Sequence, residues 1–186
     1  MTTGLGGIIT TNDGKLMKFA QSLRFFGAGN DLNEIINMGN DWMISEVSAL
    51  LGIQQLKKLE SNLNRRNIIA RKYEKGLQNI KGIKFFSAPK NMRHSYYKFA
   101  VLLPDNADRD SLIREMKTKY GIETSGVYTP CHLHPIYKKM FGFKEGMLPV
   151  TEKILKRAIC LPMFAQMTDS QAMRVINAFA KCFRKK

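Results

Sequence analysis

The chain is poor in the residues that would tie it to a metal, a lipid or an oxidising compartment. Its 186 residues hold three cysteines, Cys131, Cys160 and Cys182, an odd number with no close pair. A disulfide framework is not the organising device, and reduced thiols in a cytosolic protein are the expectation. Histidines also number three: His94, His132 and His134. Cys131, His132 and His134 have ligand-like spacing, but tetrahedral zinc usually draws on two separated pairs, so no metal is expected. No apolar run reaches the roughly 18 residues that a membrane span needs. The segment Met1–Gly7 lacks the basic region and apolar stretch of a secretory signal. Internal repeats and low-complexity tracts are absent. Acidic residues are scarce, 15 against 30 Lys and Arg, for a net charge of +15. The basic residues are scattered, with small clusters at Lys57–Lys58, Arg65–Arg66, Lys138–Lys139 and Arg184–Lys186. Without a zinc-finger, helix-turn-helix or RNP-type signature, the charge reads as a solvated surface or a site for a phosphate-rich small molecule, and nucleic acid is not expected. The hydrophobic fraction of 44% is enough for an ordinary core.

What is present is organised around Ser45–Leu77. Val47, Leu50, Leu51, Leu56, Leu59, Leu63, Ile69, Tyr73 and Leu77 recur near a 3.6-residue period, without proline. Ser45 is placed as an N-cap, and Gly76 and Gly82 flank the end. At 1.5 Å per residue such a helix is about 50 Å long, so it should bend near Gly52 or Asn62–Asn64, or bridge two domains. The different character of the flanking segments favours the bridge.

Before this helix, Ile8–Thr11 reads as a strand, Asn12–Gly14 as a turn and Lys15–Phe26 as a short amphipathic helix. The polar stretch Gly27–Asp41 is long for a loop inside a compact domain. After it come strands at Ile83–Phe86 and Ser95–Leu103, separated by a turn at Pro89–His94. A helix capped by Asp108 or Asp110 runs to Tyr120, and a third strand spans Ile122–Tyr128. A short helix ends at Phe141, another runs from Pro149 or Thr151 to about Ala158, and Ile159–Leu161 is a short strand. Thr168 caps a last helix, Asp169–Phe183. This order is that of a small α+β layer.

The candidate site is Tyr128–Tyr137, a proline-bounded segment after a strand end. There His132, Tyr128 and Tyr137 could line a polar pocket. A Cys131 nucleophile with a histidine base has no further support. No lysine stands in an apolar context that would mark it as reactive.

Five stretches in register resemble the DegT/StrS family of pyridoxal-phosphate-dependent sugar aminotransferases, over the C-terminal half of its members. They are Met1–Asp13 with its Thr-Thr-Gly-Leu-Gly-Gly, Gly39–Gly52, Leu56–Tyr73 with Asn64-Arg65-Arg66, His94-Ser-Tyr-Tyr with the following strand, and Tyr128–Tyr137. The resemblance implies an α/β architecture: the end of the large domain plus the small C-terminal α+β domain of the aspartate-aminotransferase-like fold. Residues 1–80 would be the end of the PLP-binding domain with the bridging helix, and 81–186 the small domain. It implies pyridoxal 5'-phosphate as cofactor, a nucleotide-linked keto sugar as substrate and an amino acid as amino donor. A cytoplasmic homodimer, or a complex with an upstream partner chain, is the expected assembly. The cofactor's lysine would lie about two residues before Met1, so no catalytic residue is assigned within the chain, which is expected to be a fragment or split subunit inactive alone. Asn40 or Asp41 stands where the family's asparagine reaches the cofactor phosphate of the neighbouring subunit, and His132 matches a histidine near the sugar and nucleotide. Tyr128 and Tyr137 are implied as pocket neighbours. Leu5 replaces the family's glutamate, and Met43 replaces its arginine. These departures, with Asp41, fit the alternative of a non-catalytic paralogue acting as a dimerisation module. Without the rest of the large domain, residues 1–40 should be poorly ordered, or covered by self-association.

Overall fold

The structure, a computed structural model, describes residues 1–86, 88–89 and 91–184, Arg184 in its backbone alone. The chain divides into two compact units, Met1–Glu60 and Ser61–Lys186. Among the described residues, no helix is long and apolar enough to cross a membrane.

The amino-terminal unit opens with an extended segment. Ile8 and Ile9 are about three-quarters exposed and pair with no strand, so the strand read at Ile8–Thr11 does not form. A strand needs a neighbour for its N–H and C=O groups, and none of these 60 residues supplies one. Helix α1, Gly14–Arg24, starts where Asp13 caps it, its Oδ1 accepting the N–H groups of Lys15 (2.8 Å) and Leu16 (3.2 Å).

The stretch read as a long loop is tightly folded. Phe25 bridges to Asp41 and Ala28 to Ile35, while the Gly27 carbonyl accepts the N–H groups of Ile36 and Asn37. Two glycines permit this. Gly27 has φ +81°, and a Cβ there would strike the Asn37 carbonyl; a Cβ on Gly39 would fall on the Gly27 backbone. Gly39→Ala is therefore expected to open the turn. The amide of Phe26, which donates to the Asn40 carbonyl at 3.1 Å, should then exchange roughly tenfold faster or more. Unchanged exchange at Phe26 would show that the close approach is not needed.

The predicted long helix is two helices. Helix α2, Glu46–Lys57, is capped by Ser45, whose hydroxyl accepts the Ser48 N–H at 3.2 Å. Helix α3 is Leu59–Leu77. The interruption falls at Lys58, whose N–H turns to the Gln55 carbonyl, and not at Gly52 or Asn62–Asn64. Gly76 does not end α3 but lies inside it. A Cβ there would press on Ile176 of the last helix at 2.8 Å, so this glycine sets a close helix approach.

The carboxy-terminal unit holds the core. Its sheet has β1 (Lys84–Phe85), β2 (Phe99–Leu102), β3 (Ser125–Gly126) and β4 (Ala158–Leu161), in the order β1-β2-β4-β3, with every pair antiparallel. Pairing Phe99 with Leu161 and Val101 with Ile159 puts these four side chains on one face. On that face pack Ile69, Tyr73 and Leu77 of α3, Leu112 and Met116 of α4 (Arg109–Tyr120), and Ile176 and Phe179 of α7 (Asp169–Arg184). Strands β1, β2 and β3 are shorter than the sequence predicts and β4 begins one residue earlier, but from Lys84 onward the order of strands and helices agrees with the sequence. Part of the predicted Pro89–His94 turn, Lys90, lies outside the described residues, as do Lys185 and Lys186 of the terminal basic cluster.

The start of α7 is a reciprocal cap. The Thr168 hydroxyl accepts the Gln171 N–H at 3.2 Å, and the Gln171 side chain accepts the Thr168 N–H at 2.8 Å. Next to it, Asp169 takes Lys72 and Arg65 of α3, each at 2.8 Å, and Arg65 also donates to the Met167 carbonyl. Lys72 first, and Arg65 with it, hold the Asp169 carboxyl below the usual carboxylate range. A depressed carboxylate stabilises the fold above its ordinary pKa, and that contribution is lost as pH falls through the lowered one. Asp169→Asn is therefore expected to narrow the difference in urea midpoint between neutral and strongly acidic pH. An unchanged difference would remove this pair from the acid response.

Candidate functional site

The segment 128–152 of the carboxy-terminal unit is mostly exposed and carries three of the five expected site residues. Tyr128 follows β3 and is mostly exposed. The Lys98 Nζ lies 3.7 Å from its ring centroid and donates to the Val127 carbonyl at 2.9 Å. This cation–π pair fixes the ring at the end of the sheet. Tyr137 lies on α5, Pro135–Phe141, with its ring stacked on Phe141 at 6.3 Å. Phe141 meets Phe143 at 5.5 Å, and Phe143 meets the edge of His132 at 6.3 Å.

His132 differs from the expectation of a residue lining an open pocket. It sits in the 3-10 turn Cys131–Leu133 and is only 5% exposed. Its Nε2 lies 2.8 Å from Glu152 Oε1, at the start of α6, Pro149–Arg157. The same carboxylate accepts the N–H groups of Gly146 (2.9 and 3.0 Å) and Leu148 (3.2 Å). The Gly146 N–H bond foremost, with the His132 and Leu148 bonds, holds the Glu152 carboxyl below its usual range.

Thus Tyr137, Phe141, Phe143 and His132 form one aromatic row, whereas Tyr128 is engaged with Lys98. Two polar residues escaped the sequence reading. Glu152 follows Pro149 by three residues in a helix start, a position where a carboxylate commonly caps. Lys98 interrupts the apolar run Phe99–Leu103 at its entry. Each carried a signal only as an isolated charge.

Asn40 and Asp41 belong to the amino-terminal unit. The Asn40 backbone is bound on both sides, donating to the Leu23 carbonyl and accepting from the Phe26 N–H. Its Oδ1 accepts the Asp41 N–H at 2.8 Å, which leaves the Nδ2 amide as a donor with no partner among the described residues. The Asp41 Oδ1 accepts the Met43 N–H at 3.2 Å. An amide donor fits a phosphate oxygen, whereas a carboxylate, which only accepts, does not. Among the described residues, no group of three or more His, Cys, Asp and Glu is placed to hold a metal ion.

Charge is divided unevenly between the units. Residues 61–186 carry 25 of the 30 Lys and Arg and 9 of the 15 Asp and Glu, a net +16, against −1 for residues 1–60. Apolar exposure is uneven in the other direction. Within residues 1–60 only Gly27, Ala28 and Gly52 are buried. Val47, Leu50, Ile53 and Leu56 of α2 are all more than half exposed. A helix apolar on most of its circumference normally lies inside a larger protein.

This fold, a small antiparallel sheet under three helices with an uncovered amino-terminal unit, is that of one half of a sugar aminotransferase. It superposes on S. venezuelae DesV, solved in complex with a ketimine intermediate, with a TM-score of 0.82 and 28% identity, covering 92% of this chain and 45% of that one. The chain belongs to the DegT/DnrJ/EryC1/StrS aminotransferase family, whose model matches residues 1–180. It is 30% identical to the spore coat polysaccharide biosynthesis protein SpsC of Bacillus subtilis, over 96% of this chain and 49% of that protein. It is 27% identical to GDP-perosamine synthase of Escherichia coli O157:H7, over 96% of this chain and 48% of that one. The chain spans about half the length of the curated relatives it matches.

Proposed function

We propose that these residues form the carboxy-terminal half of a pyridoxal-phosphate-dependent aminotransferase that aminates a keto sugar carried on a nucleotide. Residues 1–80 are the end of its large domain and 81–186 its small domain. The lysine that anchors the cofactor, and most of the large domain, are contributed by polypeptide outside these residues, in the same chain or in a partner. The observation that carries the reading is the family match over residues 1–180. The apolar surface of residues 1–60 supports it, because that surface is what a large domain would cover. The bound cofactor supplies an electron sink for proton transfer at the amino carbon.

The chain's own residues bind and orient. Asn40, through Nδ2, is the phosphate donor, and Asp41 is not, since its carboxylate repels a phosphate at close range. Tyr128 and Tyr137 present ring faces and hydroxyls toward the sugar nucleotide. His132 serves the same site by holding the loop beneath Tyr137. The basic balance of residues 61–186 draws an anionic nucleotide sugar and an amino-acid donor such as glutamate. The assembly is a dimer working in the cytoplasm.

The test is transamination by protein captured from its native source through these residues. With added pyridoxal phosphate, glutamate and a nucleotide-linked keto sugar, mass spectrometry should find the amino sugar. Captured protein that neither retains the cofactor nor forms the amino sugar would overturn the reading. A non-catalytic dimerisation module, favoured by Asp41, Leu5 and Met43, would then stand.

A further inference from the structure

Between Cys131 and Glu152 the chain has almost no core. His132 is buried, and Leu133, Phe143 and Glu152 are half-buried; the remaining residues are exposed. Ile136, Met140, Phe141 and Val150 are all more than half exposed. Beyond the aromatic row, packing therefore does little to fix the shape of this segment. A single carboxylate draws it together instead. Three nitrogens converge on Glu152: Nε2 of the His132 ring at 2.8 Å, and the backbone N–H groups of Gly146 and Leu148. The first lies at the start of the segment and the other two in its return loop, 14 and 16 residues further on. Only an ionised carboxylate accepts all three without presenting a donor of its own.

The geometry points to Glu152 as the positioning residue of this segment: it keeps His132 protonated at Nε2 and ties the Gly146–Leu148 loop to the Cys131–Leu133 turn, so that the Tyr137 face is held in one place for the sugar nucleotide. The last clause rests on the function proposed above; the tie itself does not. Glu152 acts through the loop and touches no reacting atom, so its removal should raise KM for the sugar nucleotide and leave kcat within about twofold. An aspartate is one methylene shorter and cannot reach both His132 and the loop. A glutamine retains one acceptor oxygen and should keep part of the tie.

The test has two arms. In the full 186-residue chain, nitrogen-resolved NMR of His132 should find the proton on Nε2. In Glu152→Ala the amides of Gly146 and Leu148 should exchange roughly tenfold faster, while the β2 and β4 amides stay protected. Glu152→Gln should fall between wild type and alanine. A wild-type His132 protonated at Nδ1 alone, or Gly146 and Leu148 exchange unmoved in Glu152→Ala, would overturn the tie. Loss of β2 and β4 protection in both variants would overturn it too, since Glu152 would then serve the whole fold. In the second arm, on the assembled enzyme, KM should rise at least fivefold in Glu152→Ala and recover partly in Glu152→Gln. An unchanged KM would overturn the positioning role. If the assembled protein shows no transamination even as wild type, the proposed function fails, and the NMR arm still decides the tie.

Discussion

Tyr73→Ala should cost the carboxy-terminal unit about 3–5 kcal/mol, the largest stability loss expected from a single truncation in this protein. Tyr73 is fully buried in the last third of α3. Its ring lies 4.9 Å from Phe99 of β2, and its hydroxyl donates to the Pro162 carbonyl at 2.7 Å, just beyond β4. One side chain thus joins α3, the central strand pair and the segment leading to α7. Alanine leaves a cavity where the ring stood and an unpaired carbonyl behind it. Tyr73→Phe separates the two effects. It keeps the ring and removes only the hydrogen bond, so its cost should be about 1–3 kcal/mol. Thermal unfolding followed by circular dichroism should show midpoint losses of about 10–20 °C for alanine and about 3–10 °C for phenylalanine. Equal losses in the two variants would mean that the hydroxyl carries the effect. A loss below about 1 kcal/mol in alanine would mean that the core is not centred here.

On the assembly proposed above, Leu50→Glu should weaken binding of the large-domain half by about 100-fold or more, while leaving the core of residues 61–186 intact. Leu50 lies on α2 in a stripe with Val47, Ile53 and Leu56, all more than half exposed. A carboxylate placed there would be buried unpaired on assembly, at several kcal/mol. In the chain by itself the same substitution leaves the residue in water and costs little. It should instead reduce self-association, because it divides a contiguous apolar surface. Titration of the variant against a polypeptide carrying the large-domain half measures the first effect, and light scattering of the chain alone the second. Wild-type affinity in Leu50→Glu would show that α2 is not covered in the assembly. The proposal that residues 1–80 complete a large domain would lose its main physical support.

The same contrast between the two units explains what could be read without a structure. Elements whose pattern is set by nearby residues were legible. Ser45, Asp108 and Thr168 each cap the helix they precede, because an N-cap needs only a side-chain oxygen and the next three residues. The strands Phe99–Leu102 and Ala158–Leu161 were found within a few residues, since an apolar run before proline is a local signal. The short run Ile8–Thr11 before the Asn12–Gly14 turn predicts a strand that does not form, because a strand also requires a partner. The helix break was misplaced for a related reason. Glycine at 52 is permissive but not obligatory as a break, and the chain turned at Lys58, which has no special residue.

The sequence by itself determined the family, the order of strands and helices from Lys84 onward, and the helix caps at Ser45, Asp108 and Thr168. All of these follow from short-range spacing or from motifs in register, which survive in one dimension. Tertiary structure decided the rest. It made His132 a buried partner of Glu152, 20 residues away. It turned Gly76 into a seat for Ile176 and gathered Arg65 and Lys72 onto Asp169, about a hundred residues on. It also left α2 uncovered. Pairings of that kind depend on which groups lose water together, and that is fixed only when distant segments meet.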